Sequence, residues 1–267
     1  MHPSSTDSIP TTSAGAPRLP PRPTTPDDLS TLTAEQWQAV LGADPVEAAA
    51  WLAAASHLGH AGAQTILGQW HLDAHGVSRD PVQALGLFLR AAQLGDPMAM
   101  NMAGRSHEQG WGTPLDPAKA AHWYRQAAQT GLPEAQYNLA NMLADGQGVA
   151  RDLPQAFDLY TQAAAQNFVK AYAKLGLFHE DGLVVPRNAD VAFDWYRRGA
   201  EGGDFRGQFG YAGMLAARGR RDEALHWLAL VPDTATERYL RQAGELLAAS
   251  PDADFRAIGL RMLQTSR

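Results

Sequence analysis

One period runs through most of this chain: 36 residues, held over five copies without an insertion. Asp44, Asp80, Asp116, Asp152 and Asn188 lie on one phase, and Ala48, Ala84, Ala120, Ala156 and Ala192 on a second. Trp51, Leu87, Trp123, Leu159 and Trp195 form a third column, and Gly59, Gly95, Gly131, Asn167 and Gly203 a fourth. A period of this size marks a solenoid, in which each unit is one supersecondary element that buries its apolar face only against its neighbours. Such chains work by offering a surface, so the period points to binding before any chemistry is considered.

Each repeat reads as two helices. In the unit that opens at Asp96-Pro97, an N-cap acceptor is followed by a residue suited to the first helical turn. Helix A then runs through Ala99, Ala103 and His107 to the turn Gly110-Trp111-Gly112. Asp116-Pro117 repeats the cap signal and opens helix B, whose Ala120, Trp123, Tyr124, Ala127 and Ala128 fall on one helical face. Gly131 follows at the C′ position, where the left-handed conformation costs a residue with a Cβ about 1–2 kcal/mol. Small residues on the locked phases predict close helix approach. Trp51, Trp123, Trp195, Tyr124, Tyr160 and Tyr196 are expected to fill the space between units.

The ends depart from the period. Residues 1–30 hold seven of the seventeen prolines and read as a disordered tail. Thr33 and Gln36 form a capping-box pattern ahead of Trp37, Val40 and Leu41, which predicts an N-terminal capping helix over 31–43. The repeat array occupies 44–231. In its last unit, Glu223-Ala224-Leu225-His226-Trp227 repeats the helix B core four residues early, so the A–B loop is shortened. Residues 232–267 then supply two capping helices. The period favours one elongated array over two compact domains.

Composition narrows the partners. A formal charge of −6 and a pI near 5.8 give no general attraction to a phosphate backbone, so nucleic acid is a poor partner. With no cysteine, neither a disulfide framework nor a thiolate metal site can form. No run of 18 apolar residues is present and the first thirty residues lack a signal-peptide pattern, so a cytoplasmic location without membrane insertion is expected. Arginine outnumbers lysine 19 to 3, which points to a GC-rich bacterial genome.

The stretch from Ala135-Gln136-Tyr137-Asn138-Leu139-Ala140 through Asp145-Gly146-Gln147-Gly148-Val149 and Asp152 to Gln155-Ala156, Leu159-Tyr160 and Ala163-Ala164 closely resembles the Sel-one-like repeat, a relative of the tetratricopeptide repeat. The resemblance covers about 44–205 and fades towards 230. It implies an all-α fold: a right-handed α/α superhelical solenoid of about five to six helix-turn-helix repeats with terminal capping helices. It also implies a protein-binding role, often as an adaptor in bacterial signalling, envelope or host-interaction assemblies. The helix A tyrosine of the family pattern is replaced here by His71, His107 and His179, and by Leu143. The lack of cysteine separates the chain from the cysteine-stapled secreted members.

Chemistry is sparse. Neither Gly-x-Ser-x-Gly nor Ser-x-x-Lys occurs, so no nucleophile motif is present, and no cofactor is implied. Gly146-x-Gly148 has Arg151 where a dinucleotide loop needs its third glycine, and reads as a turn. His57, His60, His71 and His75 fall within nineteen residues; they are the alternative reading, a metal- or small-ligand-binding solenoid and a candidate hydrolase. The 36-residue relation of His107-Glu108 to His179-Glu180 favours shared repeat geometry over a base–carboxylate dyad. Arg218, Arg220 and Arg221 read as a solvated loop, and Leu19-Pro20-Pro21-Arg22-Pro23 as part of the leader, with a polyproline ligand as the other reading.

A partner is expected on helix A, which lines the concave face of two-helix solenoids. The stripe beside the packing positions carries Gln69, Met102, Arg105, Asn138, Asn141 and Lys174, with Ile66, Leu177, Asp73, Asp145 and Asp181 in the same columns. This mixture of apolar, amide and charged groups suits a peptide or helix ligand.

Overall fold

A computed structural model describes residues 19–266, and within them the chain is helical throughout. The reading of residues 1–18 as a leader lies outside the described residues. The chain divides after Asp96 into two compact units. The period itself runs on, since Asp80 and Asp116 hold one phase on either side.

The first unit comprises α1 (Pro26–Ser30), α2 (Ala34–Leu41), α3 (Pro45–His57), α4 (Ala61–Asp73) and α5 (Pro81–Gln93). Thr33 caps α2 through the reciprocal bonds with Gln36 that the sequence pattern predicts. The packed region starts earlier than that, however. Thr25 and Asp28 form a second capping box, Leu29 is buried against Val40, Trp51 and Leu52, and Trp51 Nε1 donates to the Pro21 carbonyl at 3.1 Å. Pro20 and Pro23 are buried too. The proline segment therefore lies on its own unit. Proline density alone misleads here, because two leucines and a tryptophan donor anchor the segment.

The second unit comprises α6 (Pro97–Gln109), α7 (Pro117–Gln129), α8 (Pro133–Asp145), α9 (Leu153–Ala165), α10 (Val169–Asp181), α11 (Ala189–Glu201), α12 (Phe205–Ala217), α13 (Arg221–Leu230), a 3-10 turn at Val231–Asp233, α14 (Glu237–Ala248) and α15 (Ala253–Thr265). Within each unit successive helices pack on one another, the arrangement of a helix-pair solenoid. Asp80, Asp116 and Asp152 each accept from the backbone N–H three residues on, at 2.9–3.0 Å, and Asn188 does the same two and three residues on. Each of these caps also donates its own N–H to a helix A carbonyl: Asp80 to His71, Asp116 to His107, Asp152 to Leu143 and Asn188 to His179, at 2.8–2.9 Å. One residue thus starts helix B and ties it to helix A. The fourth sequence column has φ between +61° and +93° in all five copies, including Asn167.

The alanine column Ala48, Ala84, Ala120, Ala156 and Ala192 is 0% exposed throughout. The aromatic filling is shared differently from the expectation. Trp51 is fully buried, but Trp123 and Trp195 are half-buried, and the rings that close the later repeats are their neighbours Tyr124, Tyr160 and Tyr196. Each sits on a small residue of the preceding helix A. A Cβ on Gly68 would lie 2.6 Å from the Phe88 ring, one on Gly104 2.7 Å from Tyr124, and one on Gly176 2.8 Å from Tyr196.

The arginine run is exposed at all three positions, as expected of a solvated segment, and each arginine is also ion-paired. Arg218 reaches Asp190 at 2.6 Å and lies 3.8 Å over the Phe193 ring. Arg220 holds Glu223 through two hydrogen bonds. Arg221 ties α13 to Asp252 and Asp254 at the start of α15. Asp190, Asp252 and Asp254 lie about thirty residues away in sequence, whereas Glu223 is three residues from Arg220 and is within local reach.

The ring-on-glycine contact gives a stability prediction. Gly104→Ala pushes a methyl into a fully buried ring and is expected to lower stability by about 1–3 kcal/mol in urea unfolding. A loss below about 0.5 kcal/mol would show that Tyr124 has room to move.

Candidate functional site

The histidines are best taken residue by residue. His60 Nδ1 accepts the Ala63 N–H at 3.1 Å and so caps α4, with its ring against Trp37. His71 Nδ1 lies 3.1 Å from the Ser78 carbonyl, His75 packs edge-on to Trp70, and His57 is exposed. The four have separate structural surroundings. Among the described residues no group of three or more His, Asp and Glu side chains is placed to hold a metal ion.

Glu108 and Glu180 face tyrosines, not the adjacent histidines. Tyr124 Oη donates to Glu108 Oε2 and Tyr196 Oη to Glu180 Oε2, each at 2.7 Å. In the intervening repeat that position is Ala144, and Tyr160 Oη donates instead to Asn141 Oδ1 at 2.7 Å. Where helix B carries Phe88, the matching position is Leu72. The carboxylate therefore follows the phenol. Burial is the first cause that pushes all three tyrosine hydroxyls well above their usual range, so they remain hydrogen-bond donors. Burial likewise holds His60, His107 and His179 below the ordinary histidine range.

Five of the six residues expected on the binding stripe have side chains at or near the surface of helix A. Gln69 donates to Asp73 at 2.7 Å on α4. Arg105 is exposed and lies 5.1 Å over the Trp111 ring. Asn138 donates to Asn101 Oδ1 at 3.0 Å, and Asn141 accepts from Tyr160, so both amides have one internal duty. Lys174 is half-buried, 5.9 Å from the Tyr160 ring, and makes no ion pair among the described residues. Its burial pushes the ammonium below the ordinary lysine value; Asp145 pulls it back and Arg206 adds to the shift. Met102 departs from the expectation: it is 5% exposed and belongs to the packing, because this helix turns its small residues and its methionine inward together. Asn101, the buried partner of Asn138, gave no periodic signal.

The stripe ends in a cleft of about 620 Å³. Lys174 and Leu177 of α10, Phe209 and Met214 of α12, and Tyr239 of α14 line it, with Arg206 and Arg218 beside them. Its opening has a local cause in sequence. In the 36-residue register, Gly210 follows Lys174 and Gly213 follows Leu177, so two side chains of the stripe are missing. Gly210 is required by packing, since a Cβ there would lie 2.5 Å from the Tyr196 ring. At Gly213 a Cβ would meet nothing within 4 Å. Phe209, Met214, Arg206 and Tyr239 escape the sequence reading because the family pattern fades after about residue 205. Continuing the column by 36 would have found the two glycines.

Two predictions follow from these positions. Glycine in a helix interior is less stable than alanine by about 0.5–1 kcal/mol, so Gly213→Ala raises the unfolding temperature. Gly210→Ala lowers it, because the new methyl overlaps Tyr196. The second concerns acid. His107 and His179 have folded pKa values below the unfolded value of about 6.5. Above that pH both states are neutral there; below it the unfolded chain binds protons that the folded chain does not, so stability falls as pH falls. In melts between pH 7 and pH 5, His107→Phe/His179→Phe is expected to lose less stability than wild type.

The Sel1 repeat model matches residues 39–60, 61–96, 97–132, 133–168 and 169–204, more than half the chain. Comparison with curated proteins gives no match. Among solved structures, a Sel1 repeat protein from Oxalobacter formigenes is 25% identical over 88% of this chain and 99% of its own, with a TM-score of 0.72. The protein c5321, a protective antigen of uropathogenic Escherichia coli with an SLR fold, is 26% identical over 90% of this chain, with a TM-score of 0.68. This chain spans 54% of that protein's length. Sel1 repeats generally serve as protein-interaction scaffolds. With its helix-pair period and five matched units, this chain belongs to the Sel1 repeat family.

Proposed function

We propose that the chain is a non-enzymatic scaffold that binds a protein or peptide partner on its helix A face, the face expected to be concave, within a bacterial signalling, envelope or host-interaction assembly. One observation carries this reading. Positions that repeat are committed to packing and capping, whereas the stripe beside them changes chemistry from copy to copy: Ile66, Met102, Asn138, Lys174, Gly210, and Gln69, Arg105, Asn141, Leu177, Gly213. A constant framework with one variable face is what selective recognition by a repeat protein requires.

Residues with the appearance of chemistry serve the framework. His60 is a cap, His71 and His107 carry the carbonyls that receive the next cap, and Glu108 and Glu180 hold tyrosines. Among the described residues no helix is long and apolar enough to cross a membrane.

The test uses positions with no buried duty. Gln69→Ala/Arg105→Glu is expected to keep its circular dichroism spectrum, and its unfolding free energy to within about 0.5 kcal/mol per site. It should lose the partners that the wild-type chain retains from a lysate of its source organism. If the double variant keeps every partner at wild-type yield, the helix A face is not the binding surface.

A further inference from the structure

The cleft between α10 and α12 gives a side chain from outside room to enter the helix A face. Gly210 and Gly213 remove two members of the stripe in successive turns, leaving about 620 Å³. Sites that bury most of a bound group span roughly 300–1,000 Å³. The walls are Leu177, Phe209, Met214 and Tyr239, and Leu177 is 41% exposed, large for a leucine beside so much apolar surface.

The charges around the cleft are asymmetric. The carboxylate of Glu180 is engaged by the Tyr196 hydroxyl at 2.7 Å, and Arg218 is engaged by Asp190 at 2.6 Å. Lys174 has no ion pair among the described residues, and Arg206 has only a long one, 3.9 Å to Asp204, its guanidinium lying 4.3 Å over Phe205 and 5.8 Å from the Tyr239 ring. The acidic group is taken while two cations remain open to an anion. A half-buried ammonium with no carboxylate in ion-pair contact, Asp145 and Asp204 acting on it only from farther off, gains from a partner carboxylate that shares its low-dielectric surroundings. Lys174 also joins the cleft to the rest of the stripe, since it lies on Tyr160, whose hydroxyl donates to Asn141 Oδ1.

We infer that this cleft is the anchor pocket for a partner segment that presents a large apolar side chain beside an Asp or Glu. The apolar group fills the space left by the two glycines, and the carboxylate meets Lys174 and Arg206. The inference rests on the scaffold reading given above and adds to it the place and the chemistry of recognition.

Random heptapeptides displayed on phage and panned on the full chain test this, followed by fluorescence anisotropy with the selected peptides in synthetic form. The wild-type chain is expected to select Trp, Phe, Leu or Met next to Asp or Glu. Gly213→Trp fills the cleft from its open position and should weaken those peptides at least tenfold. Gly213→Lys, which fills the same space with a chain suited to solvent, covers the case in which tryptophan disturbs the fold. Lys174→Met should weaken them at least threefold and reduce their salt dependence. Selection of basic or purely polar peptides, or of none, overturns the inference, as does binding to both folded Gly213 variants within twofold of wild type. Peptides that survive at Gly213→Trp but are lost at Gln69→Ala/Arg105→Glu would overturn the pocket while leaving the helix A face as the binding surface. A Gly213→Trp chain that loses the selected peptides yet still captures the lysate partners overturns the cleft as the partner's anchor and leaves the scaffold reading standing.

Discussion

The seating of a helix B ring on a helix A position no larger than alanine is the contact on which the repeats from Gly68 to Tyr196 depend. Phe88 on Gly68, Tyr124 on Gly104 and Tyr196 on Gly176 bring the two helices of a repeat to a distance that a Cβ would forbid. Ala140 holds the matching place opposite Tyr160, which shows how little the position can grow. A ring pressed on backbone buries apolar area on a face where no branched side chain could follow, and interiors packed to crystal density transmit such a constraint to their neighbours. The phenol then needs a partner, and each repeat finds one: Glu108, Asn141 or Glu180, all at 2.7 Å. Where the ring is Phe88, no acceptor is needed and Leu72 stands in its place. Ring, seat and acceptor vary as a set.

That dependence divides the residues of a repeat by duty. The cap aspartates hold both the start of helix B and a carbonyl of helix A, so their phase cannot drift without losing two bonds at once. The C′ positions take φ above +60° and admit Gly or, once, Asn167. Between these constraints only the outer stripe of helix A is free to change. Its residues differ from copy to copy in charge, size and polarity: Asn138, Asn141 and Gly210 also answer to a neighbour in the framework, while Arg105 and Leu177 stay exposed.

The framework was legible in the sequence because its constraints are local and repeated. The Thr33–Gln36 capping box, the Asp–Pro starts and the glycine column each depend on a few residues at fixed offsets, and they recur. The places that were not legible depend on contacts between distant positions. The docking of Pro21 under Trp51 spans thirty residues, and the Arg221 tie to Asp252 spans thirty-one. A proline-rich composition reads as a leader, and a run of arginines reads as a solvated loop, until the partner across the fold is known. Met102 shows the limit within a helix: a position on the edge of a stripe turns inward or outward by a fraction of a turn, which periodicity does not resolve. Of the binding stripe, the columns were readable but the cleft was not, since it consists of side chains that are missing.

The same ring-on-glycine rule explains why the cleft lies where it does. Tyr196 is pressed from two sides, by Gly176 of its own repeat and by Gly210 of the next helix A. In earlier repeats the position equivalent to Gly210 carries Asn138 or Lys174, and the ring below it has only one seat. Doubling the seat on Tyr196 requires Gly210, which empties one place on the stripe for a packing reason. Gly213 has no such reason, for nothing lies near its absent Cβ and a helix there would gain from alanine. A cost in helix stability that packing does not demand, set one turn from a glycine that packing does demand, leaves a groove where the framework required only a notch.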